Sequence, residues 1–438
     1  MIPVIQSVWW LIVLIGGMIL LHELGHFWAA RFFDVRVDVF SFGFGPRLFG
    51  FRRGETDFRF SAILFGGYVK MAGDTPGDEN INDPRAFLAK PRWQRLIVVA
   101  AGPFMNLVLA VAVLTGVFMW HYPKPLDKTA VIGYVAPNSI AAKAGLQPGD
   151  EIVQIDGENN PSWMDVQMRE ASSPNHPITV WIRRGTERNK VEVTPEADKK
   201  TGLGLPIGWD METDQVGSIV AGLPAQRAGL KRGDLLLRVN GQQVWSIRRL
   251  QELIAASNGQ PLAVTYMRDG KEYNASITPQ RGKLDGGPER WVIGVGLEPR
   301  FVMTQLSLPD ALAASVKQNR KFATWVFDTI GDIIQRRLSP KSLSGPIGIA
   351  QASREAAQEG PEAFLGLMAM ISVNLAIFNL LPIPILDGGT IVLLLLEMVM
   401  RRDLSLQVKE TVFKLGFVFL MAVVVFAIYN DIAKIIPG

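Results

Sequence analysis

The chain contains no cysteine and only four histidines among its 438 residues. The absence of cysteine excludes disulfide bonds and thiolate metal ligands, and it leaves the redox compartment undefined. The chain also lacks a large excess of one charge, because the formal net charge is only +4, and the basic residues form no continuous tract. We therefore expect no nucleic-acid partner.

Apolar runs and polar regions alternate along the chain. Hydrophobic residues make up 48% of the sequence and charged residues 20%, with a mean hydropathy of +0.18. This composition is too apolar for an ordinary soluble protein and too charged for a bundle of membrane helices alone. We therefore expect a few membrane spans combined with soluble domains.

The most informative motif is the HExxH pattern at residues 22–26, which lies inside an apolar run. Helical spacing places His22 and His26 on one face, where both imidazoles can bind one metal ion, and Glu23 lies near that face as a candidate general base. Ionisable side chains are costly within a bilayer and mark functional sites there. The sequence therefore predicts a metal site, with zinc as the ion typical of this motif.

A catalytic zinc ion takes three protein ligands, so a third ligand is needed. The other histidines, His121 and His176, are not placed to join the motif. A carboxylate within or near a span is therefore favoured, and Asp387 is the leading candidate because it follows a proline-broken apolar helix. Two alternatives stay open: Glu397 is a weaker rival, and Asp387 is also a plausible helix-end residue in a Pro/Gly-rich bend.

Four apolar runs are long enough to cross a bilayer, near residues 8–30, 96–120, 363–381 and 412–429. Arginines follow the first run, and basic residues precede the second and follow the third. The positive-inside rule then places both termini and the long polar region outside the cytoplasm. It also brings the two motif histidines and Asp387 to the same depth, in the cytoplasmic half of the membrane.

Two further regions have recognisable patterns. After the first span, alternating residues predict two strands joined by a turn at Gly66–Gly67, with an apolar loop at residues 41–46. The polar region contains a repeat, since residues 144–157 match residues 228–241 in the pattern AGLxxGD, strand, Asp/Asn-Gly. This pattern resembles PDZ domains. The glycine-bracketed loop that holds a peptide carboxylate is not evident in either copy, so peptide recognition and a steric role both stay open.

The motifs taken together resemble the site-2 protease family over essentially the whole chain. They are the HExxH in the first span, the NxxPxPxLDG stretch at residues 379–388, and the PDZ pair between the second and third spans. The resemblance implies one zinc ion per chain, bound by His22, His26 and Asp387, with Glu23 as the base. It implies that the substrate is seated by Asn374, Asn379, Pro382 and Pro384 and clamped by the edge strand before Gly66–Gly67.

The resemblance also implies where such a protein acts and on what. It predicts a zinc metalloendopeptidase of the bacterial inner membrane that cleaves transmembrane segments of pre-trimmed proteins, such as an anti-sigma factor, and remnant signal peptides. The PDZ pair would exclude substrates with large periplasmic domains. From the residues alone, two other interpretations stay open: a membrane scaffold with a structural zinc ion, and a zinc transporter.

The predicted fold is a multi-pass α-helical membrane protein with four transmembrane helices, a cytoplasmic-side β element and two tandem periplasmic PDZ domains of α+β type. The segment after the repeat contains an amphipathic helix that lies on the membrane or packs on the spans. The predicted divisions are 1–31 (first span), 32–94 (β element), 95–121 (second span), 122–209 and 210–285 (PDZ copies), 286–361 (linker), 362–390 (third span and motif), 391–411 (cytoplasmic segment) and 412–438 (fourth span).

Overall fold

The computed structural model describes residues 2–74, 83–125, 130–220, 222–282 and 289–435. Contacts divide the chain into two compact units. The first unit comprises Met1–Tyr122, Thr304–Gly331 and Leu343–Gly438, and the second comprises Pro123–Met303 and Asp332–Ser342. The predicted division at residues 285 and 286 lies outside the described residues.

The elements follow one another in three groups. Up to residue 122 they are α1 (Ile2–Phe32), β1 (Val37–Arg53), β2 (Thr56–Met71) and α2 (Arg92–Trp120). The repeat region contains β3 (Tyr122–Pro125), β4 (Ala130–Val135), α3 (Ile140–Lys143), β5 (Glu151–Ile155), β6 (Glu158–Asn159), α4 (Trp163–Ser172), β7 (Ile178–Arg184), β8 (Glu187–Val193), β9 (Trp209–Met211), β10 (Gln215–Ile219), α5 (Pro224–Arg227), β11 (Leu235–Val239), β12 (Gln242–Gln243), α6 (Ile247–Ala256), β13 (Leu262–Arg268), β14 (Lys271–Ile277), β15 (Gln280–Gly282), β16 (Arg290–Val292), β17 (Val295–Glu298) and β18 (Phe301–Thr304). The last group is α7 (Leu308–Ile334), α8 (Pro346–Glu359), α9 (Pro361–Leu380), α10 (Asp387–Met400) and α11 (Leu406–Ile435).

Within the described ranges, four helices are long and apolar enough to cross a membrane, over Ile5–Phe32, Arg92–Trp120, Pro361–Leu380 and Leu406–Lys434. The helix α10 is also apolar, but its 14 residues are fewer than the roughly 20 that a span needs. It continues from Asp387 to Met400 without a break. The predicted division at residue 391 therefore falls inside a helix rather than at the start of a separate segment.

The core of the first unit joins α2, α7 and α9. Ala110 and Leu114 of α2 pack with Ala369 and Val373 of α9 and with Phe322 of α7. The amphipathic helix α7 therefore packs on apolar helices, which decides between the two arrangements that its sequence left open. Small residues at these contacts let the helix backbones approach closely.

The strands β1 and β2 form a sheet of four segments rather than a simple hairpin. Residues 40–42 of β1 pair on one side with residues 67–69 of β2 and on the other side with residues 58–60 of the same strand. Residues 58–60 pair in turn with residues 49–51. Along residues 40–42 the partner number rises from 58 to 60 on one side and falls from 69 to 67 on the other, so β2 reverses direction between residues 60 and 67. The predicted turn at Gly66–Gly67 therefore lies at the end of a real reversal, although both glycines belong to β2, and the chain also reverses near Gly54. The predicted loop at residues 41–46 is likewise part of β1.

The second unit contains the repeat as two sheets with the same topology. The strand orders are β8-β7-β5-β4-β9 and β14-β13-β11-β10-β17, with β6 and β12 paired to β5 and β11. In each copy the aspartate of AGLxxGD is buried and accepts two hydrogen bonds from an arginine, Arg184 to Asp150 and Arg268 to Asp234, at 2.6 and 2.7 Å in both. A buried carboxylate with a bidentate partner explains why the motif ends in aspartate.

Candidate metal centre

The helix α1 carries both motif histidines toward α2. Gly25 lets the helices approach, because a Cβ at this position would lie 2.7 Å from Met105 Cγ. On the opposing helix, a Cβ at Gly102 would lie 2.5 Å from Cε1 of His26 and 2.9 Å from Cε1 of His22. The two imidazoles therefore occupy the space that a missing side chain leaves on α2.

Asp387 meets the two histidines from the other end of the chain. Its Oδ2 lies 3.2 Å from His22 Nε2, and its Oδ1 lies 3.6 Å from His26 Nε2. The two Nε2 atoms are 3.2 Å apart. Among the described residues, this is the group of three His, Asp or Glu side chains whose ligand atoms converge, all within 4.8 Å of one another.

The spacing of these three donors fits a tetrahedral zinc ion. Ligand atoms about 2.0–2.1 Å from a tetrahedral ion lie about 3.3 Å from each other, and the observed separations are 3.2, 3.2 and 3.6 Å. Two imidazoles and one carboxylate form a ligand set that is usual for catalytic zinc, which keeps a fourth position open for water or substrate.

Backbone and amide groups fix the orientation of the histidine rings. His26 Nδ1 lies 2.9 Å from the carbonyl oxygen of Val98, and this bond requires a proton on Nδ1 and leaves Nε2 free to bind metal. His22 Nδ1 lies 3.2 Å from Nδ2 of the fully buried Asn106, and the Asn106 Oδ1 has no hydrogen-bond partner among the described residues. If His22 binds metal through Nε2, its Nδ1–H donates, so the Asn106 amide must turn over to present Oδ1 to the ring.

The loop before α10 is built tightly around Asp387. Gly388 and Gly389 pack against the backbone of residues 380–384, where a Cβ on Gly389 would lie 2.7 Å from Pro384 Cα. Ile385 has φ 83°, a conformation that is unfavourable for a β-branched residue and that is commonly found at functional sites. The prolines and glycines of the motif therefore shape the turn that carries Asp387.

A cavity of about 590 Å³ opens beside the three donors. Its lining includes Glu23, the edge segment Gly66–Val69, Asn379 and Leu386. Gly67 faces Glu23 directly, because a Cβ on Gly67 would lie 3.0 Å from Glu23 Cγ. The base candidate, the three donors and a sheet edge therefore share one cavity, large enough for an extended peptide segment.

The sheet edge at this cavity is the segment Gly67–Met71 of β2. It pairs with β1 on one side, and no other strand of the described residues pairs with it on the other side. The expectation that the edge lies before Gly66–Gly67 is wrong, because residues 58–60 are paired on both sides. The location of the edge follows from the sheet register, which depends on how the two long strands fold back on each other and is not visible in the sequence.

The chain matches known proteins along almost its whole length. The family model for Peptidase family M50 matches residues 10–423. The chain belongs to peptidase family M50. A protein of Vibrio cholerae named as a zinc metalloprotease is 32% identical over 97% of this chain and 98% of its own length. The regulator of sigma-E protease RseP of Escherichia coli K12 is 31% identical over 97% of this chain and 98% of its own.

The resemblance to the site-2 protease family is thereby confirmed, and this M50 protein is an intramembrane zinc metalloprotease. The scaffold and transporter interpretations fall away, because membership of a peptidase family decides for proteolysis. Among solved structures, a PDZ domain from Listeria monocytogenes covers 20% of this chain and 87% of its own, at 23% identity and a TM-score of 0.17. A TM-score of this size supports no conclusion about fold.

The structure of this M50 protease separates the other predicted site residues into two sets. Asn379, Gly66 and Gly67 line the cavity. Asn374, Pro382 and Pro384 are not among the lining residues. The Asn374 side-chain oxygen is buried with no hydrogen-bond partner among the described residues, and Pro384 packs against Gly416 of α11. Their role in seating substrate stays a prediction.

The rival ligands lie outside the centre. Glu397 is fully buried and pairs with Lys409 Nζ at 2.6 Å. His121 lies 3.3 Å from Glu362, and His176 contacts the Pro174 carbonyl in the repeat unit. Sequence reasoning missed Gly102 and Asn106. Asn106 had a signal, because a lone polar side chain in an apolar run is a candidate for function, whereas Gly102 is revealed only by its neighbours in three dimensions.

Proposed function

We propose that this M50 protease cleaves transmembrane segments at one zinc ion per chain, bound by His22, His26 and Asp387. The observation that carries the proposal is the shared cavity, in which three zinc-type donors, Glu23 and an unpaired strand edge lie together. When bound, zinc supplies Lewis-acid activation of the scissile carbonyl and of the attacking water.

Each residue around the proposed zinc site then has a separate role in hydrolysis. Glu23 takes the proton from the attacking water and delivers it to the leaving amine nitrogen, as a carboxylate base and acid does in hydrolysis. Asn106 and the Val98 carbonyl hold the histidine rings. The edge segment Gly67–Met71 pairs with the substrate backbone and presents it in extended form, as in recognition by strand addition.

Strand addition solves a problem that is specific to membrane substrates. The backbone carbonyls of a transmembrane helix are hydrogen-bonded within the helix, so the helix must unwind before cleavage. Pairing with β2 replaces the lost helical bonds. Asn379, which lines the same cavity, is placed to contact the unwound segment.

The substrates that we propose are membrane proteins already trimmed by another protease, such as an anti-sigma factor, together with remnant signal peptides. Relatives of this length are named regulator of sigma-E protease, and that role is our proposal for this chain. We further propose four membrane spans in a bacterial inner membrane, with both termini and two PDZ-type copies in the periplasm. This orientation follows from the basic residues that flank the apolar runs.

The proposal is tested by the helical stability of the substrate. Two model transmembrane peptides are compared in detergent, one with a polyleucine core and one with the same core interrupted by Gly-Pro near its centre. We expect the interrupted peptide to be cleaved at least about tenfold faster, because unwinding costs less. Equal rates for the two peptides would show that the substrate is not unwound onto the strand edge.

A further inference from the structure

The two repeat copies share an Ile-Gly turn near their C-terminal ends. In each copy an Ile-Gly turn precedes the last strand of the sheet, and its glycine has positive φ, 95° at Gly208 and 81° at Gly294. The contacts also match, because the isoleucine carbonyl accepts from Ala141 N at 3.0 Å in the first copy and from Ala225 N at 2.8 Å in the second. The glycine turn that the sequence did not show therefore lies at the end of each copy.

An edge strand that follows such a turn is suited to binding a peptide end. The strands β9 and β17 lie at the ends of their sheet orders, so each can accept an added strand. Turn N–H groups that point into the space beside the strand are the donors by which backbone turns capture a terminal carboxylate. The state of these donors therefore decides whether a copy can bind a peptide end.

The two copies differ in this donor. In the first copy Ile207 N donates to Glu170 Oε1 at 2.6 Å. Glu170 lies on α4 and is 7% exposed. Residues 163–172 of α4 correspond to residues 247–256 of α6, so the position of Glu170 is taken in the second copy by Ile254, an apolar core residue. Within the described part of the chain, Ile293 N has no hydrogen-bond partner.

The space between helix and edge strand is also filled in the first copy. The indole of Trp163, at the start of α4, contacts that of Trp209 on β9, with ring centroids 5.9 Å apart. The second copy has Ile247 and Val295 at the corresponding places. Burial raises the pKa of the Glu170 carboxyl, and the bond from Ile207 N opposes this by stabilising the charged form. A buried carboxylate is costly unless it is hydrogen-bonded, so Glu170 requires the N–H donor of Ile207.

We propose that the first copy carries its own ligand: the Glu170 carboxylate occupies the position that a peptide's terminal carboxylate would take at the Ile207–Gly208 turn. This contact closes the first copy to peptide ends. The second copy, with Ile254 and an unpaired Ile293 N–H, is left open, so the two copies are functionally unequal. The inference goes beyond proteolysis and does not depend on the metal centre.

The test exchanges the two residues in the full chain in detergent. The variants are Glu170→Ile, Ile254→Glu and the double exchange, and the probe is a short fluorescein-labelled peptide ending in valine, as free acid and as amide. We expect the wild type to bind one acid peptide per chain, Glu170→Ile two, Ile254→Glu none and the double exchange one. The amide should bind at least tenfold more weakly throughout.

A matched control and a second readout separate closure from misfolding. Glu170→Gln keeps a side-chain oxygen for Ile207 N and should stay closed. Hydrogen exchange at residues 203–209 should speed up in Glu170→Ile and slow again with the acid peptide, while the rest of the copy is unchanged. Acid-peptide binding by Glu170→Ile no greater than by the wild type overturns the proposal. If Glu170→Ile unfolds the copy, Ile254→Glu decides, because undiminished peptide binding by that variant contradicts the proposed role of the carboxylate.

Discussion

Gly102 faces the two metal-site histidines from α2 and leaves the space that their rings occupy. At the scale of single residues, the geometry of the proposed metal centre depends on uncharged neighbours of the histidines as well as on the ligands themselves. Asn106 is fully buried beside His22 Nδ1, and the Val98 carbonyl holds His26 Nδ1. Such partners fix ring orientation and typically contribute about 10–100-fold to metal affinity.

We predict that Gly102→Ala lowers zinc affinity by about tenfold or more, because the new methyl group overlaps the His26 ring and displaces it from the other ligands. The control is Gly116→Ala on the same helix, where a Cβ meets nothing within 4 Å. Zinc affinity is measured by competition with a chelator. Equal affinity for the two variants would mean that α2 does not position the histidines.

We predict that Asn106→Ala weakens zinc binding by about 10–100-fold, because His22 Nδ1–H loses its acceptor. Asn106→Asp presents an oxygen in the same place and should bind zinc more tightly than the alanine variant. The same chelator competition applies to both. Should the aspartate variant bind as weakly as the alanine variant, the hydrogen bond to His22 is not the reason that Asn106 is present.

At the scale of elements, the edge segment Gly67–Met71 is the part of the sheet that borders the cavity. The N–H groups of consecutive residues in a strand point to opposite sides. One of Tyr68 and Val69 therefore has its N–H on the unpaired side of the edge segment, where a substrate strand would bind. We predict that proline at that position lowers kcat/KM by about three- to tenfold, because one bond to the substrate is lost.

The far edge of the same sheet provides the control for the proline variants. Residues 49–51 pair with residues 58–60 and do not line the cavity. Proline at Leu48 or Phe49 should therefore leave cleavage near the wild-type rate while disturbing the sheet to a similar degree. A similar loss at both edges would show that the sheet supports the fold and does not bind substrate.

Local patterns predicted the elements well and their pairing poorly. The HExxH helix, the convergence of Asp387 and the two-copy repeat follow from spacing and charge alone, because each has a period or an unusual polar residue. The bend of β1 and β2, the position of the turn near Gly54 and the packing of α7 depend on tertiary contacts. The Gly66–Gly67 pattern predicted a chain reversal at this place, but it did not show that the segment after it forms the sheet edge beside the cavity.

At the scale of the whole molecule, the three proposed metal ligands come from distant parts of the chain, since His22 and His26 lie on α1 and Asp387 is the first residue of α10. The long polar repeat between them belongs to the second unit and contributes no residue to the centre. The first unit by itself contains the three donors, Glu23 and the sheet edge. This arrangement explains why a membrane protease can carry a large insertion without dividing its site.

The most direct measurement compares wild type and Glu23→Gln side by side, for zinc content and for cleavage of a model transmembrane peptide in detergent. We expect near one zinc ion per chain in both proteins, because Glu23 is not one of the proposed ligands. We expect cleavage by the wild type and a rate lower by about 10²–10⁴-fold in the variant, because the base is lost. Cleavage by Glu23→Gln at the wild-type rate, or no zinc in either protein, would contradict the proposal that Glu23 is the base at a zinc centre.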